Sequence, residues 1–214
     1  MKKITFSFLF VLTFICSSIS IGQTRYLDPV FPTIDTTNNI VYAVNQSVLL
    51  GEALPVATGA TVPIGLDSTT TPPTPILFTM PALEMDIFQP SGDTVSERPV
   101  IIYLHTGTFA PIIRNGNATG SRTFDYATQV FCNQYAARGY VVANTDYRAG
   151  WNPQLPTEPE RAASLMKAAY RGIQDVKAAI RYLRMDYENG NTYGIDTSRI
   201  IIVGQGTGGW IATC

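Results

Sequence analysis

The chain is poor in the residues that most often carry chemistry or covalent bracing. Its 214 residues include one histidine, His105, and three cysteines, Cys16, Cys132 and Cys214. Three cysteines, one of them in a leader described below, build no disulfide framework. An excess of charge of either sign is also missing. Fifteen Lys and Arg against sixteen Asp and Glu give a formal net charge of −1, which exerts no pull toward nucleic acid or an anionic membrane. No internal repeat is visible, and beyond the first residues no apolar run is long enough to span a bilayer. These absences exclude a disulfide-stapled mini-domain, a nucleic-acid binder, a repeat array and a multi-span membrane protein.

What is present begins at the N-terminus. In MKKITFSFLFVLTFICSSISIGQ, Lys2 and Lys3 precede an apolar run from Ile4 to Ile15, and small and polar residues follow. That layout is a secretory signal peptide, and its apolar run is too short for a permanent membrane helix. Cleavage is expected near Gly22, giving a leader over residues 1–22. Lipidation at Cys16 is disfavoured because Ile15 is bulky where a small residue is wanted. The mature protein is expected to be secreted or held in the cell envelope or periplasm, without stable membrane insertion after cleavage. Removing 22 residues leaves 192, enough for one domain with a packed core.

Residues 23–75 are rich in Thr, Pro, Asn and Ser and read as an extended strand-and-loop segment with one good strand, Ile40–Val44. Asp67 to Ile76 (DSTTTPPTPI) reads as a proline-stiffened loop. From residue 76 a second unit is expected to run to 214. LEMDIFQP sets Leu83, Met85 and Ile87 against Glu84, Asp86 and Phe88, a period-2 strand. RPVIIYLHTGTF is a continuous apolar strand of the kind buried on both faces, and it breaks at His105. A helix is predicted over Phe124–Arg138 with Gly139 as its stop, followed by the strand GYVVANTDYR. Between Glu160 and Tyr187 the spacing of Leu165, Ala169, Ile173, Val176, Ile180 and Leu183 predicts an amphipathic helix, with Lys177 and Arg181 on its opposite side. NGNTYGIDTSR reads as a loop, with Asp196, Thr197 and Ser198 forming a turn, and Arg199-IIIV as the next strand. Alternating strands and helices call for a parallel sheet with right-handed crossovers.

The last strand runs into a glycine cluster, IIIVGQGTGGW. Gly204, Gly206 and Gly209 fit the G-x-G-x-x-G dinucleotide fingerprint, whereas Gly204, Gly206 and Gly208 fit the outer glycines and centre of a G-x-S-x-G nucleophile elbow with glycine in place of serine. The dinucleotide fingerprint opens the first βαβ unit and needs an acidic residue about 20 positions later. Here the glycines follow at least two earlier units, and no acidic residue follows them.

The order RPVIIYLHTGTF, YVVANTDYRAGW, GIQDVKAAIRYLR and DTSRIIIVGQGTGGW resembles the esterase and lipase branch of the α/β-hydrolase superfamily, from about Leu83 to Ala212. The resemblance implies an α/β fold of the α/β-hydrolase type, a mostly parallel sheet flanked by helices, incomplete at its C-terminus. It implies that His105, Thr106, Gly107 and Thr108 stand in place of an H-G-G-G oxyanion loop, with backbone N–H groups of Gly107 and Thr108 as donors. It places Gly206 at the nucleophile position, Thr207 as the following oxyanion N–H donor, and Gly204, Gln205, Gly208 and Gly209 as the structural parts of the elbow. Asp146, Tyr147, Arg148, Asp175 and Arg181 are expected to be structural. Trp151 and Trp210 fit a cleft wall or the core equally well. Cys132 and Cys214 are expected on helices on opposite faces of the sheet and therefore unpaired. No metal and no cofactor is implied.

The catalytic equipment departs from that family. Gly206 has no side chain to attack with, and Thr207 reads as a hydroxyl at a helix start rather than a displaced nucleophile, because a one-residue shift of register would put Gln205 where the tight turn wants glycine. The family's acid and histidine follow the elbow in sequence, yet the eight residues after Gly206 contain neither. The chain thus reads as the N-terminal portion of a longer hydrolase, and the isolated portion is expected to aggregate through an unpaired sheet edge. Three readings stay open. One is an ester hydrolase working by other means, such as water held near Gly206 and activated by a downstream histidine. Another is a non-catalytic binding module for a small ester, acyl or glycan ligand, and the third is a dinucleotide site. Replacing Gly206 by Ser is expected to restore labelling by serine-directed probes if the pocket is otherwise intact.

Overall fold

The computed structural model of the chain describes residues 24–45, 47–49, 62–67, 74–79, 82–110, 115 and 118–214. The expected leader, Cys16 and the middle of the proline-rich loop (68–73) lie outside the described residues.

Five strands form the principal sheet: β1 (Ile34–Val44), β5 (Ala82–Pro90), β6 (Arg98–Leu104), β7 (Val141–Thr145) and β8 (Ile195–Gly204), in the order β1-β5-β7-β6-β8. β6 is parallel to both β7 and β8, whereas β5 runs antiparallel to β7 and to β1. Every residue of β6 and β7 is buried, as their unbroken apolar runs require of strands covered on both faces. The helices supply the cover: α1 (Tyr126–Ala136) joins β6 to β7, and α2 (Glu158–Glu188) joins β7 to β8. The first crossover moves to one side of β6 and the second moves back across it. With both right-handed, the two helices must lie on opposite faces. The core divides accordingly. Met85, Ile87, Val100, Ile102 and Leu104 pack under Ala169, Val176 and Leu183 of α2, while Phe88, Ile101, Tyr103 and Val142 pack under Cys132 and Ala136 of α1. The expected parallel α/β sheet is therefore present over its β6–β8 part.

Local signals set the helix ends. Asp125 caps α1 by accepting the Ala127 N–H, and Gly139 follows its last turn at φ +102°. α2 opens with a capping box, in which Thr157 accepts from the Glu160 N–H and the Glu160 carboxylate accepts from the Thr157 N–H. Its buried face includes Ala169, Val176 and Leu183 as the spacing predicts, and Lys177 and Arg181 are exposed. Asp175 is also on that buried face, fully enclosed.

Three features differ from the sequence reading. β1 begins at Ile34 and includes a bulge between Thr37 and Ile40, so the N-terminal segment supplies an edge of the principal sheet. A second, antiparallel sheet of β2 (Ser47–Leu49), β4 (Thr74–Thr79) and β3 (Val62–Asp67) runs across the expected division at residue 75. β8 begins at Ile195, before the expected Arg199. Pro99 opposes Asp196 and Val100 opposes Ile200, so the Asp196–Ser198 turn is a bulge inside the strand, closed by the Ser198 N–H on Asp196 Oδ1 at 2.8 Å.

Candidate active-site elbow

The parallel register of β6 and β8 opposes Leu104 to Gly204, so both strands end together and their following loops meet. β8 runs through Gln205 and Gly206 into the short helix α3 (Thr207–Ala212). Gly206, at the turn's apex, has φ +55° and ψ −119°, a backbone region open almost solely to glycine. Gly204 and Gly208 are required by space. A Cβ on Gly204 would fall 2.2 Å from the Gly208 carbonyl carbon, and one on Gly208 would fall 2.2 Å from the Leu104 carbonyl oxygen. Gly209 is less crowded, 3.0 Å from the Gly204 oxygen. The Gln205 N–H donates to that same Leu104 oxygen at 3.1 Å, fixing the turn onto the end of β6.

His105, Thr106, Gly107 and Thr108 pass directly beside this turn. His105 is buried, its ring stacked on Tyr147 with centroids 4.4 Å apart and planes 9° from parallel. Its Nδ1 lies 2.6 Å from the Thr106 carbonyl oxygen, and its Nε2 makes a 3.3 Å contact with Asp146 Oδ1 that is not aligned as a hydrogen bond. Both ring nitrogens face these oxygens. Gly107, at φ +139°, sits so close to Gly120 that a Cβ would be 2.4 Å from its Cα. Thr108 and Phe109 adopt φ +56° and +55°, conformations that side-chain-bearing residues rarely take. Thr108 is partly compensated by its hydroxyl donating to the Gly107 oxygen at 2.7 Å.

The two threonine hydroxyls nearest the apex have different surroundings. The Tyr147 hydroxyl spends its single proton on the His105 carbonyl at 2.8 Å, so its 3.0 Å contact with Thr207 Oγ1 is donated by Thr207. The Thr207 hydroxyl is thereby tied down. Burial pushes the Tyr147 hydroxyl up to about 12, so it stays protonated at neutral pH. Thr106 is half-buried, and its Oγ1 lies 2.3 Å from the position a Cβ on Gly206 would occupy. A side chain at 206 would therefore require the Thr106 hydroxyl to turn away, leaving Thr106 Cβ 3.2 Å from the added Cβ.

A buried ionic layer supports the loop. Asp146 accepts the Arg122 N–H at 2.7 Å and pairs with its guanidinium, which also reaches Glu84 at 2.9 Å and Asp86 at 3.1 Å. Burial alone would raise the Asp146 carboxyl. The close His105 contact, together with the Arg122 ion pair and N–H, outweighs it and holds the carboxyl below the ordinary range. Arg148 pairs with the enclosed Asp175 at 2.7 Å, the structural role expected of both, whereas Arg181 lies exposed on α2. Arg122 escapes sequence reading because a single arginine in a polar loop carries no periodic signal. Phe109 carries none either. It packs edge-on against Tyr147 and against Trp210, at 5.9 and 6.3 Å between centroids. Trp210 stays half exposed beside it, and Trp151 packs against the larger core. Cys132 and Cys214 are free, the former on the buried face of α1 and the latter exposed just after α3 on the other face. Among the described residues, no cluster of His, Cys, Asp or Glu is placed to hold a metal ion, and no helix is long and apolar enough to cross a membrane.

Among solved structures, the chain is similar to a thermophilic esterase of the planctomycete Thermogutta terrifontis, with 19% identity over 75% of this chain and 44% of that one and a TM-score of 0.45. It is also similar to a bacterial heroin esterase, with 23% identity over 78% of this chain and 37% of that one and a TM-score of 0.42. The chain thus spans less than half the length of either esterase. No curated protein matches it. The BD-FAE family model matches residues 85–214, which takes in β6, β7, β8, the oxyanion-type loop and the glycine turn. With that match and this strand–turn–helix architecture, the chain belongs to the BD-FAE family, esterase-like proteins of the α/β-hydrolase fold.

Proposed function

We propose that this chain is an exported ester- or acyl-binding member of its family whose elbow forms no acyl-enzyme. One observation carries the reading: the apex of the elbow is Gly206, held at φ +55° with no side-chain oxygen to attack a carbonyl. Nearby groups do not replace that oxygen. The Thr207 hydroxyl is bound to Tyr147, and both nitrogens of His105 are turned to the Thr106 carbonyl and Asp146. The Thr207 N–H lies in the first turn of α3, outside the intrahelical ladder, and the resemblance assigns the Gly107 and Thr108 N–H groups to the same role. In this reading these donors hold a carbonyl or carboxylate oxygen of the ligand. Phe109 and Trp210 offer an apolar wall for the acyl chain.

The test pairs binding with turnover in the purified protein. Butyrate is expected to bind saturably in ligand-observed NMR, and p-nitrophenyl butyrate is expected to give no stoichiometric burst of p-nitrophenol. A burst, or no binding of either compound, contradicts the reading. Export is tested separately by sequencing the N-terminus of the mature protein, which is expected near Gln23.

A further inference from the structure

We propose that Thr106 is the specificity-determining residue of this elbow: its hydroxyl stands in the volume that a side chain on residue 206 would fill, so the ligand-facing hydroxyl comes from the oxyanion-type loop. In its functional half the proposal rests on the ligand-binding reading above. Its geometric half stands alone.

The geometry sets the two side chains in competition for one volume. Thr106 Oγ1 is 2.3 Å from a Cβ built on Gly206, far inside van der Waals contact. Turning the Thr106 side chain about χ1 moves Oγ1 but leaves its Cβ 3.2 Å from the same point. The Thr106 backbone is also pinned. Its carbonyl faces His105 Nδ1 at 2.6 Å, and the next carbonyl, of Gly107, accepts from Asn115 Nδ2 at 3.0 Å. A glycine at the apex and a branched hydroxyl residue opposite it therefore form a matched pair.

That hydroxyl is also uncommitted: Thr106 Oγ1 makes no hydrogen bond to any described residue, in contrast to Thr207 Oγ1 and Thr108 Oγ1. A half-exposed hydroxyl with a proton to give suits a ligand that brings an acceptor oxygen, the carbonyl or carboxylate of an acyl compound. Neither nitrogen of His105 is turned toward it to remove its proton, so it serves as a donor to the ligand and not as an attacking group.

Two measurements on the purified protein test the proposal. In butyrate titrations followed by NMR, Thr106→Ser keeps the donor and is expected to bind within about threefold of wild type. Thr106→Val keeps the branched shape without the donor and is expected to weaken binding about tenfold, the loss of one net hydrogen bond. Equal binding by the valine variant overturns the functional half. The second measurement needs no ligand. Gly206→Ser is expected to lower Tm in both backgrounds, because φ +55° strains any side chain, and by about 3 °C more with Thr106 in place than in the Thr106→Gly background. An equal drop in both backgrounds shows that the side chains do not share one volume and overturns the proposal. Absence of butyrate binding by wild type sinks the binding reading, and the melting cycle then decides alone whether Thr106 holds the apex.

Discussion

Three glycines of the elbow serve two purposes, and the difference decides what each substitution does. Gly204 and Gly208 are needed for space, since any Cβ there meets backbone at 2.2 Å, whereas Gly206 is needed first for its conformation and meets only the Thr106 side chain. Gly208→Ala is therefore expected to cost at least about 3 kcal/mol, beyond ordinary core overpacking, because its neighbour is a strand carbonyl that cannot rotate away. Urea unfolding measures this, and an unchanged midpoint contradicts the close approach. Much of this was legible, because a strand running into G-x-G-x-G after two earlier strand–helix units fits an elbow better than a dinucleotide loop. The contact of Thr106 with Gly206 was not legible, since only the register of β6 against β8, with Leu104 opposite Gly204, brings two residues 100 positions apart together. Asp146 offers a pH test at the same scale. Its carboxyl is depressed in the folded protein, so its stabilisation is complete above the unfolded value of about 3.9 and fades as pH falls through the lower folded value. Asp146→Asn is expected to destabilise the protein at neutral pH and to flatten the loss of Tm in that acid range. A parallel acid limb in wild type and variant would remove Asp146 from the account.

At the scale of elements, α2 shows where periodicity informs and where it stops. The three-and-four spacing located the helix and three of its seven buried residues, Ala169, Val176 and Leu183, because burying an amphipathic stripe is what holds such a helix in place. It gave no reason for Asp175 to be enclosed, since that follows from Arg148 at the end of β7 meeting it across the core. Nor did it single out Gly172, where α3 lies against α2: a Cβ there would come within 2.6 Å of Ile211 Cδ1. Because the obstacle is the tip of a flexible side chain, Gly172→Ala is expected to cost about 1–3 kcal/mol, and Ile211→Val, which deletes that methyl, should recover part of it. A double-mutant cycle in urea checks this. If Gly172→Ala costs the same in the Ile211→Val background, the contact is not the cause.

For the whole molecule, the βαβ order was enough to give the parallel core, because right-handed crossovers permit few other arrangements. The N-terminal segment was harder to read. Its strand pattern showed at Ile40–Val44, but nothing local indicates that β1 pairs with β5 or that β2, β3 and β4 form a sheet of their own. β8 lies at the edge of the principal sheet among the described residues, and Ile201 is 43% exposed there. Ile201→Lys is accordingly expected to lower the concentration-dependent light scattering of this chain without lowering its Tm, as charge on an edge strand opposes strand addition. Scattering that does not change would place self-association elsewhere. The proposed binding function depends on an elbow that keeps its turn but has no attacking hydroxyl. Intact-mass measurement of the purified protein after exposure to a fluorophosphonate tests this most directly. An unmodified mass is expected, and an adduct mapped to any residue of 105–108 or 205–207 would contradict a non-nucleophilic elbow.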